Sequence, residues 1–118
     1  ELPMPILLKR AYEAPAASDG QRVLVDRLWP RGLTKARAGI DLWLKEVAPS
    51  TALRRWYGHD PARWEAFRQR YRSELEAHPA LDALRAQARQ GTITLVYAAR
   101  DAQHTHALVL RELLEQGD

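Results

Sequence analysis

The spacing of apolar and polar positions separates strands from helices along the whole chain. Ile6 to Tyr12 and Arg22 to Leu28 are short apolar-rich runs bounded by turn residues, and both predict strands. The link EAPAASDG between them carries Pro15 and Ser18-Asp19-Gly20; so short a connection predicts an antiparallel pair, because a parallel crossover usually takes about a dozen residues or more. Ile40, Trp43, Leu44 and Val47 recur at helical spacing and predict a helix that Pro49 ends. Ser50 caps a second, short helix through Tyr57, closed by Gly58. Asp60-Pro61 opens a third, running to about His78, with Trp64, Phe67, Tyr71 and Leu75 on one face. Leu81, Leu84 and Ala88 predict a fourth before Gln90-Gly91. Thr92 to Ala99 is uninterrupted and β-branched, as in a central strand covered on both faces. A last helix over 104–116 buries Ala107, Leu110, Leu113 and Leu114, with Gly117 as its stop.

This order of elements predicts an α/β fold: one compact domain over residues 1–118, built on a small mixed sheet flanked by helices. With 118 residues, 46% of them apolar, the chain can bury one core and leaves no room for a second domain. It contains no cysteine, which excludes disulfides, thiolate zinc sites and a cysteine nucleophile and suits a reducing compartment. No apolar run approaches the roughly 18 to 20 residues of a membrane span, and the first residues lack the regions of a signal peptide. A cytoplasmic protein is expected. Met4 fits a natural start, with Glu1 to Pro3 added ahead of it or left by trimming of a longer precursor.

Charge adds a local bias to this picture. The formal net charge is +3, but Arg54, Arg55, Arg63, Arg68, Arg70 and Arg72 face only Asp60 and Glu65 within one segment, which therefore carries +4. Trp56, Tyr57, Trp64 and Tyr71 are interleaved with these arginines, a composition that can bind nucleic acid through phosphates and stacking. A helix with a charged solvent face and an aromatic core face has the same composition.

Two of the predicted strands end in polar chemistry, at DRLWPRG and at ARDAQHTH. Ligands of open α/β sheets bind beyond the carboxyl ends of the strands, where helix amino-termini aim their N–H groups. If the two ends meet, Arg27, Arg31, Lys35 and Arg100 converge on an anion, Gly32 lets the backbone approach it, and Trp29 offers a stacking face. Asp26 would cost several kcal/mol in a covered strand unless paired. Its neighbour Arg27 points to the opposite face, which leaves Lys9, Arg31 or Arg100 as partners. The alternative is a structural ion pair, with Trp29 and Pro30 plugging the core edge. A cleft lined by Asp26, Arg31, Tyr97 and His106 would support a ligand site.

His106 falls in the first turn of the last helix, where the positive helix end disfavours protonation and a neutral imidazole suits acid or base work. A capping or core hydrogen bond would use the ring equally well. His104 and Asp101 lie nearby, and His59 precedes the Asp60 cap, but no pair has the spacing that marks a metal site. Neither a metal nor a cofactor is expected.

The segments VDRLWPRGLTK, WLKEVAPSTALRRWYGHDPARWEAFRQRYRSEL and TLVYAARDAQHTHALVL closely resemble the YeaO-like branch of the family known as domain of unknown function 488, and the resemblance extends over residues 6–116. It implies a compact α/β fold of Rossmann-like layering. The pattern Asp-Arg-Leu-Trp-Pro-Arg-Gly with a following lysine is matched by Asp26 to Gly32 and Lys35. In the later pattern Tyr97, Ala99, His106 and Ala107 match, whereas Arg100 stands for a lysine and Thr105 for an asparagine. Arginine stays protonated, which removes any nucleophilic lysine at that position. The broader family carries two cysteine motifs at this late strand and helix, and this chain has neither, so a thiolate mechanism is absent and a binding role gains ground.

Two functions follow as expectations. One is a module that binds a small phosphate-bearing ligand or nucleic acid through Arg27, Arg31, Lys35 and Arg100. The other is a hydrolase or transferase on the same ligands, with His106 as acid or base, Asp26 orienting a partner and Arg31 steadying developing negative charge.

Overall fold

The computed structural model describes residues 5–76 and 78–116; the proposed start at Met4 and the stop at Gly117 lie outside them. Strands β1 (Ile6–Arg10), β2 (Gln21–Leu24), β3 (Leu42–Trp43) and β4 (Ile93–Tyr97) form one sheet in the order β1-β4-β2-β3. Helices α1 (Lys35–Ala38), α2 (Thr51–Tyr57), α3 (Trp64–Leu75), α4 (Pro79–Gln90) and α5 (His106–Glu115) complete a compact α/β fold. Among the described residues no helix is long and apolar enough to cross a membrane.

Among the described residues all three strand pairings are parallel, so the mixed sheet and the antiparallel pairing of the first two strands are not found there. β4 lies between β1 and β2 and pairs with both. The ten residues between β1 and β2 suffice for a parallel crossover because the strands are short. Five residues rise only about 17 Å, and ten residues of chain can reach roughly 33 Å.

Central placement explains the composition of β4. All five of its residues are buried, and alternate side chains enter different layers. Val23, Val25, Ile93, Leu95 and Tyr97 face Leu53, Phe67, Tyr71, Leu84 and Leu110 of the helices. Leu24 and Val96 face a second, smaller core closed by Trp29, Leu33, Ile40 and Trp43. Helices thus cover one face of the sheet, and the irregular segment between β2 and β3, with α1, covers the other.

The helix expected over Ile40 to Val47 is instead β3 followed by a 3-10 turn at Lys45–Val47. Its apolar spacing is helical, but Leu42 and Trp43 pair with Val23 and Leu24, and the Asp41 carboxylate accepts the Arg22 backbone N–H at 2.8 Å. An open sheet edge outcompetes a helix this short, whose nucleation is unfavourable.

The other helices form where their capping residues stand, with shifted ends. Ser50 accepts the Leu53 N–H, and Gly58 ends α2 in the left-handed region (φ 53°). The Asp60 cap opens a 3-10 turn at Pro61–Arg63 before α3, and His78 caps α4 rather than ending α3. Thr105 caps α5, so the last helix begins at His106 and not at His104.

Candidate functional site

β2 and β4 run in step up to Val25, whose N–H donates to the Val96 carbonyl at 3.0 Å. At the next position Asp26 replaces a backbone acceptor: its Oδ2 takes the Ala98 N–H at 2.9 Å, across 72 residues of chain. Beyond this point the two segments diverge. A cleft of about 670 Å³ opens between them, with α2 on one side and the start of α5 at its base.

The cleft brings together six of the nine residues proposed from the sequence as ligand-binding or catalytic: Asp26, Arg27, Trp29, Arg31, Arg100 and His106. Gly32, Lys35 and Tyr97 do not line it. Gly32 is an exposed turn residue with φ 77°, and a Cβ there would meet nothing within 4 Å, so left-handed backbone explains the glycine better than a ligand's approach. Lys35 is exposed at the start of α1. Tyr97 is buried among the helices because it follows the alternation that carries Ile93 and Leu95 to that face.

Arg54, Tyr57 and His59 also line the cleft, as do Tyr12 and Leu28 on its other walls. The arginine-rich segment was the only signal for Arg54. Leu28 lies within DRLWPRG, but nothing local to Tyr12 distinguishes it, since its position depends on which strands neighbour each other.

The partner of Asp26 is none of the cations expected. Lys9 bonds to Asp19 instead, at 3.0 Å, and neither Arg31 nor Arg100 forms an ion pair among the described residues. His106 stands 3.3 Å from Asp26 Oδ1 through Nε2. The same nitrogen lies 3.0 Å from the Val25 carbonyl oxygen, which can only accept; Nε2 therefore carries a proton and donates it there. Oδ1 is fully buried and left without a well-aligned donor.

Burial dominates the titration of this pair. It raises the Asp26 carboxyl above its ordinary value of 3.8, opposed by His106 and the Ala98 N–H. It also lowers His106 below 6.5, opposed by Asp26 and the Val25 carbonyl. The imidazole is therefore neutral at physiological pH, and burial rather than the helix end is the main cause. Tyr71 packs edge-on against the ring at 5.9 Å.

The remaining polar groups are partly engaged with the protein itself. His104 Nδ1 contacts Asp101 Oδ2 at 2.7 Å, and that bond holds Asp101 below the usual carboxylate range. Arg27 donates to the Pro49 carbonyl at 3.2 Å. Trp29 donates its indole N–H to Leu33 at 2.6 Å and meets Trp43 edge-on at 5.5 Å, so it closes the smaller core while also bordering the cleft. His59, His104 and His106 do not assemble with acidic residues into a metal-binding group among the described residues.

Asp26 at the end of β2 and His106 at the start of α5 thus meet beyond the parallel sheet. Residues 5–117 match the family described as the inactive DUF488-N3 subclade, and the chain belongs to the DUF488 family. Uncharacterized proteins of Mycobacterium tuberculosis and Mycobacterium bovis are each 44% identical over 109 residues, covering 92% of both chains. The uncharacterized Escherichia coli protein YeaO is 41% identical over 112 residues, covering 94% of this chain and 97% of that one. No solved structure matches significantly.

Proposed function

We propose that the cleft binds an anionic, phosphate-bearing ligand, such as a nucleotide or nucleic acid, without chemically transforming it. One observation carries this reading: Arg27, Arg31, Arg54 and Arg100 line one cleft, and none of them is in an ion pair among the described residues. Like charges gathered around a concave surface repel one another, and an anion converts that repulsion into charge-assisted hydrogen bonds. Guanidinium groups match phosphate oxygens in fork geometry. The position of the cleft, beyond the carboxyl ends of parallel strands, supports a Rossmann-like mode of ligand binding.

Binding without turnover is favoured by the description of the subclade as inactive and by the lack of cysteine. The His106 proton on Nε2 is also directed at a backbone carbonyl rather than at the cleft. A cytoplasmic location fits a cysteine-free chain with such a ligand.

The 3.3 Å approach of Asp26 to His106 favours a second reading, a hydrolase or transferase with His106 as acid or base and Asp26 orienting it. Titration with nucleotides and short oligonucleotides at low and high salt, alongside assays for turnover, tests both. The binding module predicts salt-sensitive association that survives His106→Gln and is lost in Arg31→Ala. Turnover abolished by His106→Gln would replace it with the enzyme. Absence of binding under every condition would remove both.

A further inference from the structure

We infer that the ligand is a single phosphate ester bearing a flat apolar ring, of mononucleotide size, and not a nucleic-acid strand or bare phosphate; this rests on the anion-binding reading above. The fold leaves three large apolar side chains well exposed among the described residues: Leu7 at 37%, Tyr12 at 47% and Leu28 at 67%. Two of the three, Tyr12 and Leu28, line this one cleft. Apolar surface kept in water next to a concave site is surface that a ligand can cover.

The apolar groups are interleaved with the cations. Leu28 directly follows Arg27, and the Tyr12 hydroxyl donates to the Arg31 carbonyl at 2.9 Å. The Tyr12 ring thus stands at the Arg31 backbone with the Arg10 guanidinium 5.3 Å from its centre, and a flat ring would stack on the face that Arg10 leaves. The cleft volume of about 670 Å³ falls within the roughly 300–1,000 Å³ of small-molecule sites, so a phosphate ion alone would leave most of it to water.

A longer strand would need stacking surfaces that continue beyond the cleft. The arginine-rich segment does not supply them. Tyr57, Phe67 and Tyr71 are buried, with Phe67 stacked on Tyr57 at 4.3 Å and on Tyr71 at 5.6 Å. Trp56 is covered by Arg70, 4.0 Å from its ring centre, and by Arg63 at 5.3 Å. Asp101 adds an exposed carboxylate to the lining, which disfavours a second phosphate.

Calorimetric titration of the full chain with inorganic phosphate, ribose 5-phosphate, adenosine monophosphate and a ten-nucleotide single strand tests this. The mononucleotide is expected to bind about tenfold or more tightly than ribose 5-phosphate, a ring contribution typical of base stacking. Leu28→Ser and Tyr12→Ser should each weaken the mononucleotide roughly threefold to tenfold, and Leu28→Ser should leave ribose 5-phosphate unchanged. Equal affinity for the two monophosphates would overturn the ring while leaving the anion site standing. Tighter binding of the strand than of the mononucleotide would overturn it in favour of nucleic acid. No binding by any of the four would bring down the anion site and this inference together.

Discussion

Asp19 and Asp26 bracket the same strand, yet the sheet treats their carboxylates in opposite ways. Asp19, just before β2, is 3% exposed and fully engaged: Arg22 Nη1 donates to it at 2.7 Å, Lys9 Nζ at 3.0 Å and the Ala16 N–H at 3.0 Å. Asp26, just beyond the other end, has one firm donor in Ala98, a neutral imidazole at 3.3 Å and one buried oxygen without a partner. Burial pushes both carboxyls up. At Asp19 the bonds from Lys9, Ala16 and Arg22 outweigh it and the pKa falls, whereas at Asp26 burial prevails and the pKa rises. A closed network at one end of the sheet is thus set against an unfinished one at the other, and the unfinished end faces the cleft.

Breaking the closed end should have the largest effect. Asp19→Ala leaves Arg22 buried at 3% exposure with no counter-charge, and a loss of about 3–5 kcal/mol is expected in denaturant unfolding. A loss under about 1 kcal/mol would show that Arg22's bonds to the Ala38 carbonyl suffice.

His106→Ala comes next, since it deprives the buried Val25 carbonyl of a donor and removes a ring packed on Tyr71. We expect about 1–3 kcal/mol, with much of it recovered in His106→Gln, whose amide can donate to the same carbonyl.

Asp26→Asn sharpens the comparison, because it removes charge at a site that does not compensate it. Stability at neutral pH should change by less than about 1 kcal/mol, on the stabilising side. The dependence on pH carries the sign. A carboxyl raised by folding favours the folded state below 3.8 and loses that contribution as pH rises through its folded value. The advantage of the asparagine variant should therefore be greatest at neutral pH and fade toward pH 3.8. Asp19 behaves in reverse: its contribution is present above 3.8 and lost as pH falls through its lowered value. An advantage for Asp26→Asn that grew in acid would contradict the assignment.

The smallest effect on stability belongs to the cleft's exposed cations. Arg31→Ala and Arg100→Ala should each unfold within roughly 0.5 kcal/mol of the parent, since neither forms an ion pair among the described residues. Thermal unfolding with and without a nucleotide would separate this indifference from any effect on binding, through the ligand-dependent rise in melting temperature.

The contrast also marks what could be read from the chain. The central strand was legible because a short, uninterrupted and β-branched run after Gly91 fits a strand covered on both faces, and α2 because Ser50 and Gly58 delimit it. The segment around Trp43 was not, since apolar residues at helical spacing also fit an edge strand when an edge is free nearby. Six cleft residues were found from the polar segments that follow β2 and β4, whereas Tyr12 carries no local mark of its position. The match to the DUF488 family extends over nearly the whole chain without adding a partner for Asp26.

The sequence by itself determined the α/β class, the buried central strand and the two polar strand ends, because periodicity, caps and charge are local properties of the chain. Only the tertiary structure decided that β4 inserts between β1 and β2, and with it that Asp26 meets His106 rather than a cation. Strand order depends on how several surfaces pack at once, and contacts 72 to 81 residues apart in the chain leave no trace in any window of sequence.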